Sequence, residues 1–148
     1  MHIAFALFAD AANLSQEGKL NILGVFDAVQ VGGLPTVHPR ATVVVHLKGT
    51  AEDAGRHSVL LRWVNPRGQE LWSSVGALEI ATPPDPAAEM DVPLIASVDL
   101  PIDVIGPYTL GVSVDDQVHA DLRLQVRMGG VPQGMPGIPA MPTSGLVS

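Results

Sequence analysis

The chain contains no cysteine. That excludes a disulfide framework, a thiolate zinc site, a thiol nucleophile and a thiol redox couple. Cations are also scarce: eight Lys and Arg stand against fifteen Asp and Glu, for a formal charge of -7. Nucleic-acid binders draw their affinity from cations on phosphates, so this balance argues against that class. No run of about 18 apolar residues occurs, so no transmembrane helix and no membrane partner are expected. Several catalytic signatures are missing as well. No Gly-x-Ser-x-Gly elbow surrounds Ser15, Ser58, Ser73, Ser74, Ser97 or Ser113. No phosphate loop, dinucleotide fingerprint or H-E-x-x-H motif is present, and Gly32-Gly33 runs into Leu-Pro instead of a helix start. These absences predict a protein that is not an enzyme and needs no cofactor.

What is present is apolar and regularly spaced. Apolar residues make up 47% of the 148, although aromatics are only 4%. Length and apolar content suffice for one ordinary core. The first apolar run, Ile3 to Ala9, has no Lys or Arg before it and is cut short by Asp10. A secretory leader needs a basic start and a longer apolar stretch, so the run reads as a buried first strand of a cytoplasmic protein. The last twenty residues hold five Gly and four Pro. Pro removes backbone donors and Gly removes restraint, so 129–148 reads as a disordered or polyproline-like tail behind a folded body over 1–128. Its Val131, Met135, Ile138 and Met141 alternate with prolines, a pattern that an aromatic-lined groove can bind and that a solvated tail also shows.

Within the body the period is two, as expected for half-buried antiparallel strands. Ala41, Val43, Val45 and Leu47 share one face; Thr42, Val44, His46 and Lys48 share the other. Val59, Leu61 and Trp63 form a second stripe, and Tyr108, Leu110, Val112 and Val114 a third. From Val118 to Met128 apolar residues alternate with His119, Asp121, Arg123, Gln125 and Arg127. Two segments, Ile3–Ala11 and Leu20–Val31, are apolar on both faces, which marks central strands or strands covered by a neighbour. Asn65-Pro66-Arg67-Gly68 is a strong turn signal joining His57–Val64 to the strand starting at Glu70. The proline-rich segment 82–89 suits a crossing between sheets. A Gly106-x-Tyr108 before the penultimate strand resembles a tyrosine corner. Together these predict an all-β, antiparallel β-sandwich of immunoglobulin-like type with about eight strands; a small closed barrel is the alternative.

Ala9-Asp-Ala-Ala-Asn13 and Gly18-Lys-Leu-Asn-Ile-Leu-Gly-Val-Phe-Asp27 resemble a family of small bacterial proteins of unknown function. Pro39, Asn65–Gly68 and Gly106-Pro-Tyr108 extend the resemblance over about residues 5–127. It implies a compact, cytoplasmic β-sandwich and supplies no catalytic residues.

Charge order carries further information. Between Arg67 and Arg123 there is no cation, but there are ten carboxylates, Asp103, Asp115, Asp116 and Asp121 among them. If clustered they would suit Ca²⁺, with its oxygen ligands. They would equally steer a basic partner, or serve as a solvated rim. His46 and His57 would face each other if their strands pair, the start of a metal site that still lacks further ligands. The reading drawn from all this is a non-enzymatic structural or protein-interaction module. Leu23, Val25 and Val29 would form an apolar outer face for self-association or a protein partner, and Asp115 and Asp116 an acidic contact. The alternative is a small-ligand or carbohydrate-binding sandwich, in which an exposed Trp72 would stack on a flat ligand. A hydrolytic or metal-dependent enzyme stands third.

Overall fold

Alternating side chains become two stacked sheets in the computed structural model, which describes residues 1–129. The strands are β1 (His2–Leu14), β2 (Leu20–Phe26), β3 (Ala28–Val31), β4 (Thr36–Gly49), β5 (Gly55–Val64), β6 (Glu70–Ile80), β7 (Met90–Ile102), β8 (Gly106–Val114) and β9 (Val118–Met128). A four-stranded sheet has the order β2-β1-β4-β7, and a five-stranded sheet the order β3-β9-β8-β5-β6. All pairings are antiparallel except that of β3 with β9. The expected β-sandwich is therefore found, with nine strands among the described residues, and the barrel is not. The order β9-β8-β5-β6 matches the G-F-C-C′ strands of an immunoglobulin variable-type sheet. Nearly all of the Gly/Pro-rich tail, residues 130–148, lies outside the described residues.

The core sits between the inner faces. Val43, Val45 and Leu47 of β4 meet Val59, Leu61 and Trp63 of β5 and Leu110, Val112 and Val114 of β8, all buried. Phe8 of β1 crosses the gap and meets Trp63 edge to face at 6.3 Å. Segment 82–89 carries the chain from β6 in one sheet to β7 in the other, as its prolines suggest. Leu20–Val31 is not one strand. It bends at Asp27, whose carbonyl accepts the Gln125 N–H, and its second part joins the opposite sheet as β3.

One end of the sandwich is tied by polar groups. Tyr108 is fully buried. Its hydroxyl accepts the N–H groups of Asp103 (2.9 Å) and Val104 (3.0 Å), and lies 2.8 Å from both Asp103 Oδ1 and the Val104 carbonyl. That is the tyrosine corner. Burial pushes the Tyr108 hydroxyl up from its ordinary pKa, and its hydrogen bond holds the Asp103 carboxyl below the carboxylate range. Asp103 also accepts Asn65 Nδ2–H at 2.9 Å. Asn65, buried, turns its Oδ1 to the N–H groups of Arg67 and Gln69, which closes the β5–β6 turn. Gly106 is needed here: φ is +134°, and a Cβ would lie 3.0 Å from the Pro66 ring. The Trp63 ring stacks on Tyr108 at 5.0 Å, and its indole N–H donates to the Pro101 carbonyl of β7 at 2.8 Å.

We expect Tyr108→Phe to destabilise the fold by about 1–3 kcal/mol, because two backbone N–H groups lose their acceptor. Urea unfolding of the two proteins measures the difference.

Candidate functional site

The outer face of the four-stranded sheet carries apolar side chains on every strand, with Thr42, His46 and Ser97 among them. A bulge at Ala4 resets the alternation of β1, so that Phe5, Leu7 and Ala9 point outward opposite His46, Val44 and Thr42. On β2, Val25 and Leu23 lie beside Ala9 and Ala11. On β7, Ile95 lies beside Val44. Ala9 and Val44 are fully buried although they face away from the core, because their neighbours crowd over them. Around this dry centre Leu23 is 71% and Val25 61% exposed, and Phe5 and Ile95 are exposed in part. Formal charge lies at the two margins, where Lys48 pairs with Asp91 at 3.1 Å and where Asp99 accepts the Arg40 N–H.

Leu23 and Val25 thus occupy the outer surface as expected. Val29 does not: it belongs to β3 in the other sheet and packs against the core. The bend at Asp27 removes it from the face that its spacing from Leu23 suggested. Trp72 is not an open platform either. It lies opposite Trp63 with its ring partly buried against the core, and its indole N–H donates to the Asp99 carbonyl at 3.1 Å.

The acidic residues do not converge. Among the described residues no three His, Asp or Glu side chains stand together as a metal would require. Asp99 accepts the Arg40 N–H, Asp103 belongs to the tyrosine corner, and Glu89 and Asp91 face Lys48. His46 and His57 lie in different sheets, so the suggested pair is not formed. Asp115 and Asp116 are the centre of the β8–β9 turn. Both have positive φ, +52° and +57°, as a type I′ turn demands. Asp116 is exposed. Asp115 folds back on β5, where it accepts the Ser58 N–H at 2.7 Å and the His57 Nδ1–H. His57 Nε2–H donates to the Asp53 carbonyl at 2.6 Å. Two acceptors on one ring favour the imidazolium. The Asp115 hydrogen bond accordingly raises the His57 pKa above its usual 6.5. The Ser58 N–H and then His57 hold Asp115 below 3.8. A shallow concavity of about 540 Å³ opens beside this corner, lined by Arg56, His57, Val75 and Asp115.

A second polar line was missed in the sequence. On the outer face of the five-stranded sheet, Ser113 Oγ lies 3.1 Å from His119 Nδ1, and His119 Nε2 lies 2.7 Å from Asp121. The signal was available. The turn at Asp115-Asp116 fixes the hairpin register, which places Ser113 directly opposite His119. Serine, imidazole and carboxylate in a row can in principle pass a proton. But His119 and Asp121 are more than half exposed, and Ser113 sits in β8, which pairs on both sides. The neighbouring backbone N–H groups are therefore engaged in ladders rather than gathered toward an oxyanion.

No helix among the described residues is long and apolar enough to cross a membrane. The chain matches the model of a family of unknown function (DUF6941) over residues 4–127 and belongs to that family. No curated protein matches it.

The His57–Asp115 pair contributes stability with a definite sign. A raised His pKa gives stabilisation that is complete below about 6.5 and fades as pH rises through the raised value; a lowered Asp pKa gives stabilisation that fades as pH falls below 3.8. We expect the unfolding free-energy gap between the wild type and His57→Gln to be widest between those limits and to shrink in alkali. Denaturant titrations across pH, with the His57 shift followed by NMR, measure both.

Proposed function

We propose that this member of the family is a non-enzymatic β-sandwich that works by self-association, with the outer face of the four-stranded sheet as its contact surface. One observation carries the reading: Leu23, Val25, Phe5 and Ile95 surround the dry centre formed by Ala9 and Val44. An apolar core inside a polar rim is the anatomy of a protein interface, and patches of this kind on soluble proteins mark contact sites. A second copy suits the face better than a charged partner. The chain carries -7 overall, but its charges lie at the margin of this face, so two copies can meet here without like charges opposed. Sheets whose outer surfaces are apolar gain by adding a further layer.

The non-enzymatic part of the proposal is supported by the exposure of the Ser113–His119–Asp121 line and the engaged backbone around it. The ligand-binding alternative loses its stacking platform, since Trp72 is committed to β7. A cytoplasmic, bacterial setting belongs to the same proposal; Ile3–Ala9 serves the sandwich as part of β1.

Leu23→Lys/Val25→Lys changes only exposed side chains, so the fold should be kept within about 0.5 kcal/mol per site. In sedimentation velocity at matched concentrations we expect the variant to form smaller species than the wild type. Identical sedimentation of the two would contradict the proposed face.

A further inference from the structure

Each sheet of the sandwich has two edges, and an edge strand presents unpaired N–H and C=O groups that invite another chain. Three of the four edges carry recognisable protection. β3 is only four residues long. β2 is interrupted at Gly24, where φ is +71° and the Asp10 carboxylate lies over the backbone; a break in the pleat and an inward charge both discourage pairing. β7 carries Pro93 and Pro101, and two of its edge carbonyls, those of Asp99 and Pro101, already accept indole N–H groups.

β6 has none of these. Between Glu70 and Glu79 it runs through Leu71, Trp72, Ser73, Ser74, Val75, Gly76, Ala77 and Leu78 without a charge or a proline. Ser73 to Ala77 are all exposed, Val75 at 70%. The ladder parity says which groups point outward. Ser58 faces β8, since its carbonyl accepts the Asp115 N–H. Val59 and Leu61 therefore bond to Gly76 and Ser74 of β6, and the N–H and C=O groups of Ser73, Val75 and Ala77 face the open side.

We propose that β6 is a self-association edge: two copies pair their β6 strands antiparallel about a two-fold axis at Val75, joining two five-stranded sheets into one. The strand is compatible with its own reverse. Val75 meets the second copy's Val75, and Ser73 and Ala77 meet the second copy's Ala77 and Ser73. These are the residues whose backbone groups point outward, so each meeting is a hydrogen-bonded pair. Glu70 and Glu79 fall opposite the second copy's Ile80 and Leu71, so no like charges oppose each other. Each carboxylate also has a local cation: Arg62 binds Glu70 at 2.7 Å, and Arg56 lies across the ladder from Glu79. On the outer surface Leu60 lies beside Val75, so pairing makes a continuous apolar row across both copies. An isologous contact of this kind is closed by its own symmetry. With the sheet-face contact proposed above it gives assemblies larger than a dimer.

Because the chain has no cysteine, single cysteines read the register directly. Hydrogen-bonded antiparallel partners stand about 5.5 Å apart at Cα, within disulfide range, and residues two positions from the axis do not. Under mild oxidation Val75→Cys should form a covalent dimer, and Ser73→Cys should stay monomeric on a denaturing gel. Equal cross-linking of the two variants, or none in either, overturns the proposal. Val75→Pro removes one outward N–H and no ladder bond; while retaining the wild-type circular dichroism it should sediment as smaller species. A folded Val75→Pro that sediments like the wild type also overturns the proposal. Combining it with Leu23→Lys/Val25→Lys separates the two contacts. Loss of mass in the face variant alone would support the face and refute the edge, loss in Val75→Pro alone the reverse, and a monomer only in the combination would support both.

Discussion

The buried Tyr108 hydroxyl is the constraint on which the rest of the sandwich depends. It takes two backbone N–H groups from the β7–β8 connection and leans on the Asp103 carboxylate, which in turn holds Asn65 of the β5–β6 turn. A polar cluster of this sort is costly unless every member is satisfied; among the described residues no buried side-chain nitrogen or oxygen lacks a partner. Trp63 stacks on the Tyr108 ring, and Trp63 and Trp72 each reach across to a β7 carbonyl. These two bonds fasten the five-stranded sheet to the edge of the four-stranded one. The opposite end is pinned by the Asp115 N–H bond to the Ser58 carbonyl, and that bond fixes which residues of β6 face outward.

Much of this was legible in the sequence because it depends on local chemistry. Period two places Val43, Val45, Val59, Leu61, Leu110 and Val112 inward without reference to anything distant. Asn65–Gly68 and Gly106-x-Tyr108 declare a turn and a corner through residues that only those conformations favour. What was not legible depends on partners remote in the chain. Val29 follows Val25 in phase, yet a bend at Asp27 sends it to the opposite sheet, where it pairs with Val126. Met90–Ile102 carries Pro93 and Pro101 and no clean alternation, yet it forms a strand because it lies at an edge, where a missing N–H can face outward. The bond between His57 and Asp115 joins β5 to the β8–β9 turn, a contact that no local pattern specifies. Trp72, ambiguous by spacing, was settled by a carbonyl on another sheet.

In the reading proposed above, the candidate site is a matter of surfaces more than of reactive groups. Several carboxylates of the acidic stretch are spent separately: Asp115 on a turn, Asp103 on a buried tyrosine, Asp99 on a backbone N–H and Asp91 on lysine. Three of the five histidines, His46, His57 and His119, are likewise each paired with a different carboxylate. Interior packing leaves two surfaces over, the apolar outer face around Val44 and the unprotected strand around Val75. They differ in kind. The face offers area without direction, which gives affinity. The strand offers directed backbone groups, which fix register and symmetry.

Amide hydrogen exchange resolved along β6 tests the central claim most directly, because it reports whether the outward groups have found a partner. Gly76 and Ser74, bonded to β5, should be protected at every concentration. The Val75 and Ala77 amides should be protected in concentrated protein and exchange freely on dilution. Fast exchange of Val75 and Ala77 at all concentrations, with Gly76 still protected, would contradict assembly through this strand.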